Sequence, residues 1–274
     1  MESPRRTPGG SAPSSRPDGK ESRLEHWESF WQEKQQVEEV YSNADRILRN
    51  ILAVTDVRGK RILEIGAGTG RDSFPLSERG AEIVQLDYSQ QSLRILKNLA
   101  QQQNIDALIV GGDAFALPFR DGTFDIVFHQ GLLEHFHKLQ ADALLQENVR
   151  VLKKGGYLLV DVPQRFHAYT LAKHALMAVN RWFAGWERSF SIHELRQVLM
   201  KLELTPVRSY GEWMYPSFFY RALRETLKKA GLILPLKPRM PEPLTQLRER
   251  IRVALLKTSL PLYSGISIGV IARK

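Results

Sequence analysis

Cysteine is absent from all 274 residues. That excludes disulfides, thiolate metal sites and a cysteine nucleophile. It leaves the compartment open, a reducing cytosol included. Long apolar runs are missing too. No stretch approaches the roughly 18 residues that span a bilayer. Met1 to Lys20 is Pro, Ser, Gly and Arg, with no apolar signal core. That composition reads as a disordered tail over residues 1–22, and the chain reads as cytoplasmic. No internal repeat is visible. Acids are scarce in one region. Between Arg221 and Lys274, twelve Lys or Arg face three acids, which accounts for the whole net charge of +9. A local positive surface suits lipid headgroups, nucleic acid or a phosphorylated substrate, or is only a solvated face.

What is present is alternation. Leu24 to Leu52 is helical in character and carries Trp27, Phe30, Trp31 and Tyr41. Arg61–Ile65, Glu82–Leu86, Ala107–Val110, Phe124–Phe128 and Tyr157–Val162 read as strands. Between them lie helices: Asp72 to Arg79, stopped by Gly80; one capped by Ser89, with Leu93, Leu96 and Leu99 at helical spacing; and Leu139 to Leu152, closed by Lys153-Lys154-Gly155. The order predicts an α/β fold with a doubly wound parallel sheet, ligands sitting at the carboxyl ends of the strands.

Beyond Pro163 the pattern loosens. Residues 164–190 read as a helical insertion, with an aromatic-rich helix over Ala168–Trp186. Ser191 to Leu202 is a helix whose Ser191 and Glu194 have capping-box spacing. Pro206–Gly211 and Ile266–Ala272 are further strands, and a basic helical insertion, 212–263, lies between them. In that insertion Phe219, Leu223, Leu227 and Ala230 share one side of a helix, opposite Arg221, Arg224 and Lys228. Such a helix either packs its apolar face on the domain or lies on a membrane surface.

Chemistry concentrates in the first half. Leu63-Glu64-Ile65-Gly66-Ala67-Gly68-Thr69-Gly70 runs a strand into glycines at alternate positions. Dinucleotide binders use Gly-x-Gly-x-x-Gly instead, and a phosphate cradle wants bare amides rather than an acid. The spacing and Glu64 therefore point to an adenosine-type cofactor with no phosphate and a positive charge, S-adenosylmethionine. Asp87, in Gln85-Leu86-Asp87-Tyr88-Ser89, ends the second strand about 20 residues after the glycines, where a carboxylate accepts ribose hydroxyls. A third segment, Gly112-Asp113-Ala114-Phe115-Ala116-Leu117-Pro118-Phe119, precedes the fourth strand. A fourth, His129-Gln130-Gly131-Leu132-Leu133-Glu134-His135-Phe136, follows it.

In these motifs the chain resembles the class I S-adenosylmethionine-dependent methyltransferases. It is closest to the group that includes ubiquinone and menaquinone biosynthesis methyltransferases. The match spans roughly Lys60 to Val162. The resemblance implies a mainly parallel seven-stranded Rossmann-like sheet and one methyltransferase domain over 23–274, with a cofactor core at 58–163. It implies cofactor contacts from Glu64, Gly66, Ala67, Gly68, Gly70, Asp87, Tyr88, Asp113, Ala114 and His129. In the family the Asp-Ala pair meets the adenine. Some quinone-pathway relatives hold a divalent metal with Glu-x-x-Glu-His; here Gly131 replaces the first acid, so no metal is predicted. The Val151-to-Val160 passage, with Gly155-Gly156, is structural.

Methyl transfer from a sulfonium is an in-line displacement that needs alignment and exclusion of water. Where the nucleophile is a hydroxyl or an acidic carbon, a base helps, and His129, His135 and His167 are the candidates, His135 first. Trp182, Phe183, Trp186, Trp213, Tyr215, Phe218 and Phe219 make both insertions aromatic. They suit either an apolar, lipid-like acceptor or ordinary packing. A small-molecule or lipid-linked acceptor, with peripheral contact to anionic membrane, is the leading expectation. RNA is the alternative, weakened by the absence of an Asn-Pro-Pro-Tyr-like tetrapeptide and of a separate RNA-binding module.

Overall fold

Buried parallel strands need apolar side chains on both faces, and the Ile-, Leu- and Val-rich runs supply them. The computed structural model describes residues 24–33, 45–182, 186–213, 215–235, 238 and 240–274. Strands β1 (Arg61–Ile65), β2 (Glu82–Asp87), β3 (Ala107–Gly111), β4 (Phe124–Gln130), β5 (Leu152–Pro163), β6 (Thr205–Glu212) and β7 (Ser267–Arg273) make one sheet. Their order is β3-β2-β1-β4-β5-β7-β6. The first five run parallel, and β7 is antiparallel to both its neighbours. This is an α/β fold, a doubly wound and mainly parallel sheet of seven strands. Strand order reverses between β1 and β4, the switch point where such sheets bind ligands.

The helices are α1 (Leu24–Glu33), α2 (Arg46–Leu52), α3 (Phe74–Ser77), α4 (Gln90–Gln102), α5 (Lys138–Val151), α6 (Ala168–Ala178), α7 (Ile192–Met200), α8 (Phe218–Lys229), α9 (Glu242–Leu256) and α10 (Leu260–Ser264). Leu144 and Leu145 of α5, with Leu195 and Leu199 of α7, join the core on one face of the sheet. Ile47 and Ile51 of α2 join Ile62, Ile83 and Phe128 in a second cluster. A buried ion pair ties α2 to β5: Arg46 donates from Nε and Nη2 to Asp161, at 3.1 and 3.0 Å. The Tyr210 hydroxyl of β6 donates to the same carboxylate at 2.8 Å. Nearby, the buried Glu212 lies between Arg49 of α2 and Arg252 of α9.

Several expectations need correcting. The segment Leu24–Leu52 is not one described helix: α1 ends at Glu33, α2 starts at Arg46, and Tyr41 lies outside the described residues, as do residues 1–23. The helix expected from Asp72 shrinks to α3, because Ser73 donates its hydroxyl to Glu64 rather than capping the turn. Strand β5 starts five residues early, at Leu152, which pairs with Phe124 before a register shift. The Ser191 hydroxyl caps α7 by accepting from the Glu194 amide. The Glu194 side chain does not close the box; it bonds Arg165 and Arg188 instead.

Helix α8 forms where the pattern placed it, and of the two placements its apolar side takes the outward one. Arg221 donates to the carbonyls of Pro216 and Tyr215, and Arg224 to that of Leu234. Guanidinium forks thus serve loop carbonyls beside the helix. Phe219 and Leu223 are left 78% and 52% exposed. A hydrophobic wheel sees the stripe but not which partner it meets.

Candidate active site

The carboxyl ends of β1, β2 and β4 open into a cavity of about 440 Å³, within the range of small-ligand sites. Its floor is the turn after β1. Gly66, Gly68 and Gly70 all have positive φ, between +57° and +69°, a backbone state that L side chains resist. A Cβ on Gly68 would sit 2.7 Å from the Trp31 ring, so α1 lies directly on this loop. Gly70 does different work. Its Cβ would meet Gln85 Nε2 at 2.4 Å and Phe74 at 2.6 Å, so it is a packing glycine behind the cavity.

Acids ring one end. Glu64 is buried at the end of β1 and accepts from Ser73 Oγ, which in turn accepts from Gln85 Nε2 at 2.7 Å. Burial first, then the charge of Asp72, pushes the Glu64 carboxyl well above its usual range. Burial also raises Asp72, against the pull of Arg71 and Arg46. Asp72 Oδ1 has no hydrogen-bond partner among the described residues, and Arg71 Nη2 lies 3.5 Å from Oδ2. Two crowded, buried carboxyls favour the arrival of a cation. At the end of β2, Asp87 Oδ2 accepts from the Gly68 amide at 2.8 Å and Oδ1 from the Ser89 amide at 2.9 Å. Asp113, past β3, is exposed and accepts from the Phe115 amide at 2.9 Å.

The cavity is also lined with aromatics. Trp27 and Phe30 of α1 line it with Leu132, His135 and Phe136. Trp27 meets the His135 ring edge-on, 4.9 Å between centroids. Glu28 fastens α1 to the sheet side by accepting from the Gln90 and Gln91 amides, at 2.7 and 3.3 Å, at the start of α4.

A family model described as a methyltransferase domain matches residues 63–160. The chain is 39% identical over 108 residues to a demethylmenaquinone methyltransferase of Renibacterium salmoninarum, covering 39% of this chain and 43% of that protein. It is 38% identical over 103 residues to the enzyme of the same name from Thermus thermophilus, covering 37% and 46%. The chain therefore spans less than half the length of these curated relatives. Among solved structures, a SAM-dependent methyltransferase from Thermotoga maritima, described as a possible histamine N-methyltransferase, superposes with a TM-score of 0.61. Identity there is 20%, covering 92% of this chain and 99% of that one. Magnesium protoporphyrin IX methyltransferase from Synechocystis, solved with bound S-adenosylhomocysteine, superposes with a TM-score of 0.52 at 18% identity, covering 61% and 73%. These likenesses show the fold.

The cavity brings together most of the residues singled out from sequence. Glu64, Gly66, Ala67, Gly68, Asp87 and Tyr88 line the cavity, as do Asp113, Ala114 and His135. His129 does not. Successive strand residues face opposite sides, and at the end of β4 it is Gln130 that lines the cavity while His129 is fully buried. Neither ring nitrogen of His129 has a partner among the described residues, and burial lowers its pKa to about 3. That imidazole stands apart from the cavity. His167 is not at the cavity either: its Nδ1 accepts from the Tyr169 amide at 3.1 Å and caps α6.

The insertion aromatics also fall elsewhere. Trp186 stacks on His137, Trp182 donates to Glu187, Trp213 donates to Ser264, and Tyr215 lies under Arg248. Phe183 and the Phe218 side chain lie outside the described residues. Sequence reasoning missed Asp72, Gln130 and the role of α1. The signal for α1 was there: Trp27, Phe30 and Trp31 stand at i, i+3 and i+4, one face of a helix.

Proposed function

We propose that the chain transfers a methyl group from S-adenosylmethionine to an apolar, quinone-type small molecule. The observation that carries this reading is the cavity itself, whose lining combines the acids and the glycine turn with aromatic side chains. Glu64 and Asp72 would hold the cationic methionine end, Asp87 the ribose hydroxyls, and Asp113 with Ala114 the adenine. The cofactor supplies a methyl already activated by its sulfonium. The protein aligns the acceptor and excludes water. Trp27, Phe30 and Phe136 do the second by lining the cavity with apolar surface. The relatives' names point to a demethylmenaquinone-like acceptor, which suits that lining. Incubation with methyl-labelled cofactor and a short-chain demethylmenaquinone should yield a labelled, organic-extractable product. Label found only in RNA, or nowhere in a fractionated extract, would discard the reading.

We further propose that the basic insertion brings the chain to an anionic bilayer, where such an acceptor resides. No described helix is long and apolar enough to cross a membrane. The insertion instead exposes Ile233 at 79%, Leu232 at 60%, Leu247 at 54% and Ile251 at 51%. Lys228, Lys229, Arg250 and Lys257 are exposed in the same region. Apolar side chains among cations match an anionic interface. Ile233→Ser with Leu247→Ser should weaken co-sedimentation with phosphatidylglycerol vesicles by about tenfold or more and leave thermal stability intact. Equal sedimentation of variant and parent would remove the membrane from the account.

A further inference from the structure

The first insertion does not wall the cavity. It reaches the site from behind. His135 sits on a short 3-10 turn, Leu133–His135, after β4. It is 8% exposed and lines the cavity. Its Nδ1 has no hydrogen-bond partner among the described residues, and the nearest carboxylate, Glu187 Oε1, stands 4.0 Å away. That is too long for a hydrogen bond and short enough for strong charge coupling in a buried place. The Glu187 carboxylate is itself fixed on both oxygens. Lys173 Nζ, 1% exposed, donates to Oε2 at 2.7 Å, and Trp182 Nε1 donates to Oε1 at 2.7 Å.

We propose that Glu187 is a positioning residue for His135, holding the imidazole in one tautomer and stabilising its cationic form when it accepts the acceptor's proton. The proposal rests on the methyl-transfer reading for its chemistry. The proton passes from the acceptor to His135. The acceptor's electron pair forms the bond to the methyl carbon, and the carbon–sulfur pair leaves with sulfur as a neutral thioether. The imidazolium then returns its proton to solvent.

The surroundings agree. Burial lowers the His135 pKa, while Glu187 and the Gly131 carbonyl oppose that and Lys173 adds to it. The resting ring is therefore neutral and able to take a proton. Other charges face this cluster. Glu134, on the same turn, is pushed up to about 8 by burial and by Glu187, so it stands protonated at neutral pH and does not compete for the proton. Asp161 of β5 acts on Glu134 in the same sense. Tyr169 of α6 is pushed up to about 12 by burial and by Glu187. Lys173 alone needs a partner, and a simple Lys173–Glu187 pair would meet that need. What the simple pair leaves unexplained is the unpartnered Nδ1 facing the same carboxylate.

The test reads His135 directly. The full chain, labelled with 15N-histidine, is titrated by long-range 1H–15N NMR with S-adenosylhomocysteine as probe, and His135 is assigned by His135→Gln. The parent should show one tautomer, protonated at Nδ1. In Glu187→Gln that preference should be lost and the apparent pKa should fall by about one unit, while Glu187→Asp restores part of both. Should Glu187→Gln fail to fold, Lys173→Met/Glu187→Gln removes both charges of the buried pair and gives the same readout. An unmoved tautomer and pKa in these variants overturns the proposal, whatever the protein methylates. Loss of probe binding with the His135–Glu187 coupling intact would instead count against the cofactor reading and leave the pair standing.

Discussion

Asp87→Ala should raise the Kd for S-adenosylhomocysteine by roughly 10- to 150-fold in isothermal calorimetry. The figure follows from losing hydrogen bonds to a charged group, about 1.5–3 kcal/mol. The variant loses more than a ligand contact. Asp87 also accepts from the Gly68 and Ser89 amides, so alanine unties the glycine turn from the end of β2. Asparagine is no gentle substitute. Its amide offers a donor where the protein already presents two donors, so Asp87→Asn should bind little better than alanine. An unchanged Kd in Asp87→Ala would remove this carboxylate from the site.

Arg46→Met should cost about 3–5 kcal/mol in urea denaturation, the typical loss on breaking a buried ion pair from one side. For a chain of this size that is a fall in Tm of the order of 10 °C. Asp161 is 1% exposed and, among the described residues, would keep only the Tyr210 hydroxyl as a side-chain partner. Arg46→Met/Asp161→Asn should recover much of the loss, because the penalty is the stranded charge rather than the missing contact. A loss under about 1 kcal/mol in the single variant would mean that water reaches Asp161 when the arginine is gone. Activity is a poor readout here, since Arg46 also acts on the charge of Asp72 at the cavity, and lost stability and a disturbed site would read alike.

The sheet was legible because its signal is local. Runs such as Arg61–Ile65 and Ala107–Gly111 are apolar and β-branched, and their ends are marked by glycines or acids. The acids of the cavity were legible for a related reason. A residue at the carboxyl end of a parallel strand has its place fixed by topology, so Glu64 and Asp87 are located once the strands are. His129 was not legible, because one step along a strand turns a side chain through the sheet, and spacing alone does not say which of His129 and Gln130 faces the ligand. Which way α8 turns its apolar side was hidden for another reason. Its arginines satisfy carbonyls of Tyr215, Pro216 and Leu234, which no helical wheel contains. The cluster around Glu187 joins residues from a turn, a helix and a loop, and only the folded chain brings Lys173, Glu187 and His135 to one place.

The enclosed His129 has a consequence for tolerance to acid. Its folded pKa of about 3 lies below the unfolded value near 6.5. Between those values the unfolded chain binds the extra proton, so acidification from pH 6.5 downward drains stability from the fold. Glu134 pulls the other way. Its folded value of about 8 exceeds the unfolded 4.5, so over that interval the native state holds the extra proton and alkalinisation weakens it. Two uncharged titratable side chains, a few residues apart at the end of one strand, thus work against each other across mildly acidic pH. There, protonation change at one is offset by the other, and the fold's sensitivity to hydrogen-ion concentration is partly levelled.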